Sequence, residues 1–268
     1  MKQLKDVLEA SLLGDMEDVM QAAEEIVIKE EIKKFIKKNY EIAKFVKISA
    51  KPNADGKYVV NAKEVRAKNK IETLTNGMFV WGTIEGAFDC MFCDRLRSLE
   101  GCPTLVKGSL YLHSKVITSI SGLTTKSLKT IDVSMHNLSS LEGANLTASS
   151  LAITSKVLKD LKGIYEWNMK TLVISFCDGL TSLEGLDTIA DSLIIEHCDK
   201  LTSLKGAPEK VDKIEIRYCE ALEDYTDMPC ADRIIIHGKN AHKIRKELIE
   251  QFIAAGKIDN DKQIVFYR

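Results

Sequence analysis

From residue 110 onward the chain is punctuated by short alternating segments in which two apolar residues flank one variable residue. They are Leu110/Leu112, Ile131/Val133, Leu151/Ile153, Leu172/Ile174, Leu193/Ile195, Ile214/Ile216 and Ile234/Ile236. Period two puts both members of a pair on one face of a strand, so each segment predicts a strand with one apolar side. A second pattern, roughly L-x-S-L-x-G, alternates with the strands. It runs Leu96 to Gly101, Ile117 to Gly122, Leu138 to Gly143, Leu158 to Gly163, Leu180 to Gly185 and Leu201 to Gly206. A degenerate copy, Leu222 to Asp227, keeps the spacing without the glycine, and an earlier copy ends at Asn76-Gly77.

The copies recur every 20 to 22 residues. A period of about 20–29 residues belongs to solenoids of the leucine-rich class, in which no single copy can bury its own apolar side. Stacked at ~4.8 Å in a parallel ladder, the inward pairs form one core, and the leucines of L-x-S-L fill it from the return segment. The expected fold is therefore an α+β repeat, a leucine-rich-repeat-like β-solenoid with a parallel sheet over residues 71–238.

The copies divide into two subtypes. In those ending at Gly122, Gly143 and Gly163, five positions separate the second strand residue from the first motif residue; in four others the gap is six. The four longer copies share C-[DE]-x-L, at Cys93, Cys177, Cys198 and Cys219. A small thiol turned inward at a tight corner, followed by an acid that satisfies backbone amides, accounts for that correlation. The competing reading is a metal site, because Cys177, Cys198 and Cys219 stack on neighbouring rungs and Cys90, Cys93 and Cys102 add sulfurs. Zinc favours two separated short-spaced pairs, and the chain has one C-x-x-C, with Cys90 at an inward strand position; corner packing is the preferred reading.

The flanks read as caps. Residues 1–15 suggest an N-terminal tag helix, and residues 16–70 a helical and β-hairpin N-terminal domain. In that domain Met16 to Tyr40 carries a helical apolar pattern with a break near Val27 to Lys29. Phe45 to Ile48 and Lys57 to Val60 flank Pro52-Asn53-Ala54-Asp55-Gly56, whose Asp-Gly supplies hairpin turn chemistry; the hairpin is expected to dock near Ile71, Leu74, Phe79 and Trp81. Residues 239–268 predict a C-terminal helical cap and strand, with Asn240 as N-cap, a helix to Ala255, Gly256 as stop and a strand over Ile264 to Tyr267.

Charge narrows the function classes. The 38 basic residues balance 39 acidic ones, so no overall field draws the chain to nucleic acid or an anionic membrane. Asp6 and Glu9 interrupt the first residues, against a secretory leader, and seven scattered cysteines suit a reducing compartment. Lysines 29, 33, 34, 37, 38, 44 and 47 outnumber nearby glutamates, as a solvated helix face or a landing site for phosphate or an acidic protein, the former preferred. No phosphate-binding glycine loop, H-E-x-x-H pattern or serine elbow is present, and His113, His197 and His237 are expected just beyond strands as turn or lining residues. No catalytic, cofactor or metal residue is assigned, and no small-molecule substrate is expected.

Between the inward pairs an outward column runs Tyr111, Asp132, Ala152, Val173, Ile194, Glu215 and Ile235; beside it stand His113, Ser134, Thr154, Ser175, Glu196, Arg217 and His237. Solvent does not favour Val173, Ile194 and Ile235, and apolar residues rimmed by polar ones mark protein contacts. β-propensity alone is the plainer explanation. Tyr111, Asp132, Val173, Ile194, Glu196, Glu215, Arg217 and Ile235 are the candidate partner-binding residues.

The segment Phe35 to Pro103 resembles leucine-rich-repeat-like proteins of tailed bacteriophages, including crAss-like phages, through FIKKNYEIAKFVKISAKPNADGKYVV, KNKIETLTNGMFVW and CDRLRSLEGCP. LTSLEGL at Leu180 to Leu186 and LTSLKGAP at Leu201 to Pro208 extend the likeness over most of the chain, whereas Ile117 to Gly163 depart from the regular form. The resemblance implies a phage origin and a binding scaffold, and carries over no catalytic residue. The opening MKQLKDVLEASLLGD is similar to short N-terminal helices on unrelated phage proteins, which implies a packaging or docking tag. The expected function is a non-enzymatic protein-binding scaffold, associated with the virion or present in the cytoplasm of the infected host. An intracellular inhibitor of a host defence or metabolic protein is the alternative.

Overall fold

The computed structural model describes residues 16–164, 169–186, 191–238 and 245–267. Helix α1 (Met16–Asn39) leads into β1 (Tyr40–Lys44), β2 (Lys47–Ile48), β3 (Tyr58–Ala62), β4 (Glu64–Ala67), β5 (Phe79–Ile84) and β6 (Phe88–Cys90). Then come β7 (Leu105–Val106), β8 (Leu110–Ser114), β9 (Thr124–Ser127), β10 (Thr130–Met135), β11 (Asn145–Thr147) and β12 (Ser150–Thr154). The remaining strands are β13 (Thr171–Ser175), β14 (Ser192–Glu196), β15 (Lys210–Arg217) and β16 (Cys230–His237), followed by helix α2 (Arg245–Ala254) and β17 (Ile264–Tyr267).

The chain is a parallel-sheet repeat solenoid. One sheet has 11 strands in the order β1-β4-β6-β8-β10-β12-β13-β14-β15-β16-β17. Its register aligns Leu110, Ile131, Leu151, Leu172, Leu193, Ile214, Ile234 and Ile264 in one row. All seven inward pairs read from the sequence are buried, as are the motif leucines Leu96, Leu138, Leu141, Leu158, Leu161, Leu180, Leu183, Leu201 and Leu204. Each such side chain contributes roughly 1.5–3 kcal/mol when fully buried, and stacking is what buries it.

A second sheet of six strands, β11-β9-β7-β5-β3-β2, closes the opposite side of the early copies. Its β2-β3 end is the expected hairpin, docked beside Phe79 and Trp81, whereas nothing in the sequence pattern predicts β7, β9 and β11. Its strands are as short as Leu105–Val106, and the segment Thr124–Ser127 has no apolar residue to mark a period.

Both sheets end on antiparallel strands at the N-terminal side: β1 pairs with β4, and β2 with β3 through Lys47↔Asn61 and Ile48↔Val60. The hairpin is shorter on its first arm than expected, since Phe45 has φ 53° and leaves the ladder. Its turn is held by the Asn53 side chain, whose Oδ1 accepts from the amides of Asp55 (3.1 Å) and Lys57 (2.9 Å). From there β3 adds in parallel to β5, placing Val60 opposite Trp81. Trp81 sits among Tyr40, Phe79 and Phe88 in edge-to-face contacts at 5.2, 5.5 and 5.7 Å, and its Nε1 donates to the Tyr40 hydroxyl at 3.0 Å. That hydroxyl donates to the Leu74 carbonyl at 2.7 Å, and burial raises its pKa.

Helix α1 runs without the break expected near Val27 to Lys29, and ends at Asn39 rather than Tyr40. Pairs on its surface, Lys29 with Glu25 (3.4 Å), Lys33 with Glu30 (2.7 Å) and Lys34 with Glu31 (2.6 Å), favour continuation through the β-branched stretch. Three lysines of the local excess are thereby paired along their own helix. Its C-terminal carbonyls at Lys37 and Lys38 accept from Lys68 Nζ at 3.3 and 2.8 Å. At the other end α2 packs Phe252 edge-on against Tyr225 at 6.3 Å. Gly256 follows with φ 66°, and β17 pairs in parallel with β16. Asn240, the expected N-cap, and the expected tag over residues 1–15 lie outside the described residues.

Candidate interaction surface

The parallel register brings all eight candidate residues onto one face as two neighbouring rows. Tyr111, Asp132, Val173, Ile194, Glu215 and Ile235 share the first row; Glu196 and Arg217 lie in the second. Tyr111, Asp132, Val173, Ile194, Glu196 and Arg217 are half-buried. Glu215 and Ile235 depart from the expectation of an exposed column, at 5% and 6% exposure. Glu215 is wrapped by ion pairs, and Ile235 stands between it and Val265 in the row, so neighbouring side chains rather than the sheet exclude water.

The cluster around Glu215 explains how a carboxylate tolerates that position. Arg217 Nε donates to its Oε1 at 2.7 Å, Lys213 Nζ lies 2.7 Å from Oε2, and His237 Nε2 is 3.2 Å from Oε1. Arg217 also donates from Nη1 to Glu196 Oε2 at 3.0 Å, linking two rungs. Burial pushes the Glu215 pKa up, but the hydrogen bonds from Arg217 and Lys213 outweigh it and hold the group down to about 2. A folded pKa below the unfolded value of 4.5 means stability present above pH 4.5 and lost as pH falls through about 2. For this group the loss by pH 3 is on the order of 2 kcal/mol. Glu215→Gln should therefore destabilise the chain at pH 7 by a similar amount and by much less near pH 2. Urea midpoints at the two pH values measure it, and an equal deficit at both would show that charge is not the cause.

The corner beside the second row separates the long and short copies. In the long ones the cysteine thiols turn inward onto carbonyls: Cys177 Sγ is 3.5 Å from the Ser175 oxygen, Cys198 Sγ 3.5 Å from that of Glu196, and Cys219 Sγ 3.5 Å from that of Arg217. Two of the three short copies use serine, with Ser114 Oγ donating to the Leu96 carbonyl and Ser155 Oγ to that of Leu138, both at 2.7 Å, and the third buries Met135 at the same register position. The Cys177 thiol pushes the Cys198 pKa up to about 12, and Cys198 together with burial pushes Cys219 upward. The same hydrogen bond with Cys198 lowers the Cys177 pKa. Among the described residues no group of three or more His, Cys, Asp or Glu side chains is placed to hold a metal ion. The acid that follows the cysteine was expected to satisfy backbone amides; in the first long copy Asp94 pairs instead with Lys115.

The extra residue of the long copies is the one before the cysteine. It is aromatic every time, Phe92, Phe176, His197 and Tyr218, and adopts φ of 61°, 51°, 52° and 53°. The left-handed region costs a bulky residue about 1–2 kcal/mol, and glycine occupies it elsewhere in this chain, as at Gly206 (φ 90°). The rings project to the surface: Phe92 is 69%, Phe176 50% and Tyr218 40% exposed. Phe176 stacks on His197 at 4.8 Å and His197 on Tyr218 at 5.0 Å, with interplanar angles of 8° and 20°. Tyr218 meets His237 at 6.1 Å, and His237 stacks on Tyr267 at 4.7 Å. These five rings form a continuous ladder up the edge of the candidate face. His197 lies just beyond its strand, as expected, and the sequence signal for the other rings is the aromatic residue that precedes the cysteine in all four long copies. His237 ends β16 and His113 lies inside β8, rather than beyond their strands. His113 belongs to a short copy, whose strand continues to the corner serine Ser114.

Among the described residues no helix is long and apolar enough to cross a membrane. Comparison with protein-family models, with curated proteins and with solved structures finds no match for this chain.

Proposed function

We propose that the chain is a non-enzymatic scaffold that holds a protein partner on the outward face of its 11-stranded sheet. The observation that carries this reading is the adjacency of Val173 and Ile194, half-buried aliphatic side chains in register on that face, with the Glu196–Arg217 pair at their flank. A flat, ordered apolar strip bounded by charge is what a protein contact buries. The L-x-S-L-x-G copies support a leucine-rich-repeat-like relation, and the resemblance to tailed-phage proteins supports a phage-encoded component, carried on the virion or acting in the infected cell.

Val173→Asp combined with Ile194→Asp should weaken capture of the partner at least tenfold in affinity purification from infected cells. Thermal stability should change by less than about 1 kcal/mol, because neither side chain belongs to the inward row. Collapse of folding in the double variant would assign both to the core and remove the basis for the proposal. Mass spectrometry of purified particles separates the two locations.

A further inference from the structure

The exposed corner of the long copies carries a second surface, distinct from the strand face. Three of its rings, Phe176, His197 and Tyr218, occupy successive rungs in a left-handed conformation that glycine would adopt without strain. Two residues beyond each ring is an acid, Asp178, Asp199 and Glu220, separated from it in sequence by the buried cysteine. Residues 176–181, 197–202 and 218–223 contain four acids, Asp178, Asp199, Glu220 and Glu223, and one base, Lys200. The corner therefore pairs an aromatic ladder with a row of negative charge rising at the same spacing of ~4.8 Å.

We infer that this edge docks a basic, extended segment of a partner protein, with arginine or lysine stems lying along the rings and their charged heads meeting the acid row. The stacked rings cover one another's faces, so bases or sugars have no series of open faces on which to stack; the ring edges and rims remain for aliphatic stems. The acids repel a phosphate backbone, which disfavours nucleic acid. A second copy of the chain meeting this edge across a two-fold axis would bring like charges together. A cationic chain satisfies both elements of the corner.

The test is fluorescence anisotropy of the full chain with a labelled ten-residue peptide of alternating arginine and alanine, at low and at moderate salt. Glutamine-for-arginine peptide and a labelled single-stranded oligonucleotide serve as the comparison probes. We expect salt-sensitive binding of the arginine peptide only. Asp178→Asn with Asp199→Asn should weaken it tenfold or more, and so should Phe176→Ser with Tyr218→Ser. If the serine pair lowers the melting temperature, Phe176→Gly with Tyr218→Gly removes both rings while fitting the backbone. Ile194→Ser, on the strand face, should leave peptide binding within twofold, so failure here and failure of the strand-face reading are told apart. Absence of binding at millimolar peptide, tighter binding of the oligonucleotide, or indifference to loss of the rings in a folded variant would each overturn the inference.

Discussion

Trp81→Ala is expected to lower the free energy of unfolding by about 3–5 kcal/mol, the usual range for emptying a large aromatic from a core. Trp81 is fully buried, and its ring is the common neighbour of Tyr40, Phe79 and Phe88. Its removal loosens both sheets where they begin, because Tyr40 starts the antiparallel β1 and Trp81 lies in β5 beside β3. Phe35 of α1 reaches the same cluster through Phe79 at 5.9 Å. Trp81→Phe keeps a ring but deletes the indole donor to the Tyr40 hydroxyl, and should cost less, about 1–3 kcal/mol. Urea unfolding at neutral pH distinguishes them. A similar small deficit for both would mean that the N-terminal cluster unfolds apart from the rest.

The second large effect concerns the motif glycines. At Gly206, φ is 90° and a Cβ would fall 2.5 Å from the Leu183 carbonyl oxygen and 2.8 Å from the Glu184 Cα of the preceding copy. Gly206→Ala therefore adds a backbone clash to the conformational cost, for a total of about 2–5 kcal/mol. Gly122 has φ 81°, yet a Cβ there meets nothing within 4 Å. Gly122→Ala carries the conformational cost alone, about 1–2 kcal/mol. The difference between the two thermal shifts isolates the close approach of neighbouring rungs, and equal shifts would refute it.

Much of this architecture was legible in the sequence because a solenoid repeats its physics. The pairs from Leu110/Leu112 to Ile234/Ile236 are inward because alternation and a constant period leave one register that buries them all. Beyond its hairpin end, the six-stranded sheet was not legible, since strands such as Leu105–Val106 are held by parallel neighbours rather than by a period of their own. On the candidate face, row membership followed from counting, but burial did not. Glu215 is hidden by Arg217 and Lys213, long side chains whose reach across the sheet no alternation rule describes. Of the corner rings, His197 was legible as a turn or lining residue just beyond its strand; at Phe176 and Tyr218 an aromatic after a strand reads as strand continuation, whereas the backbone turns left-handed there.

The match between β13, β14 and β15 is residue for residue, with Leu172, Leu193 and Ile214 spaced by one copy each. Duplication or loss of one such unit keeps every backbone hydrogen bond in register, and it lengthens or shortens the row of rings and acids by one step. Recombination among copies that share this register is therefore a route by which the reach of this edge changes within a lineage while its fold stays the same. The span of chain that it can hold is then inherited as a copy number rather than as a shape.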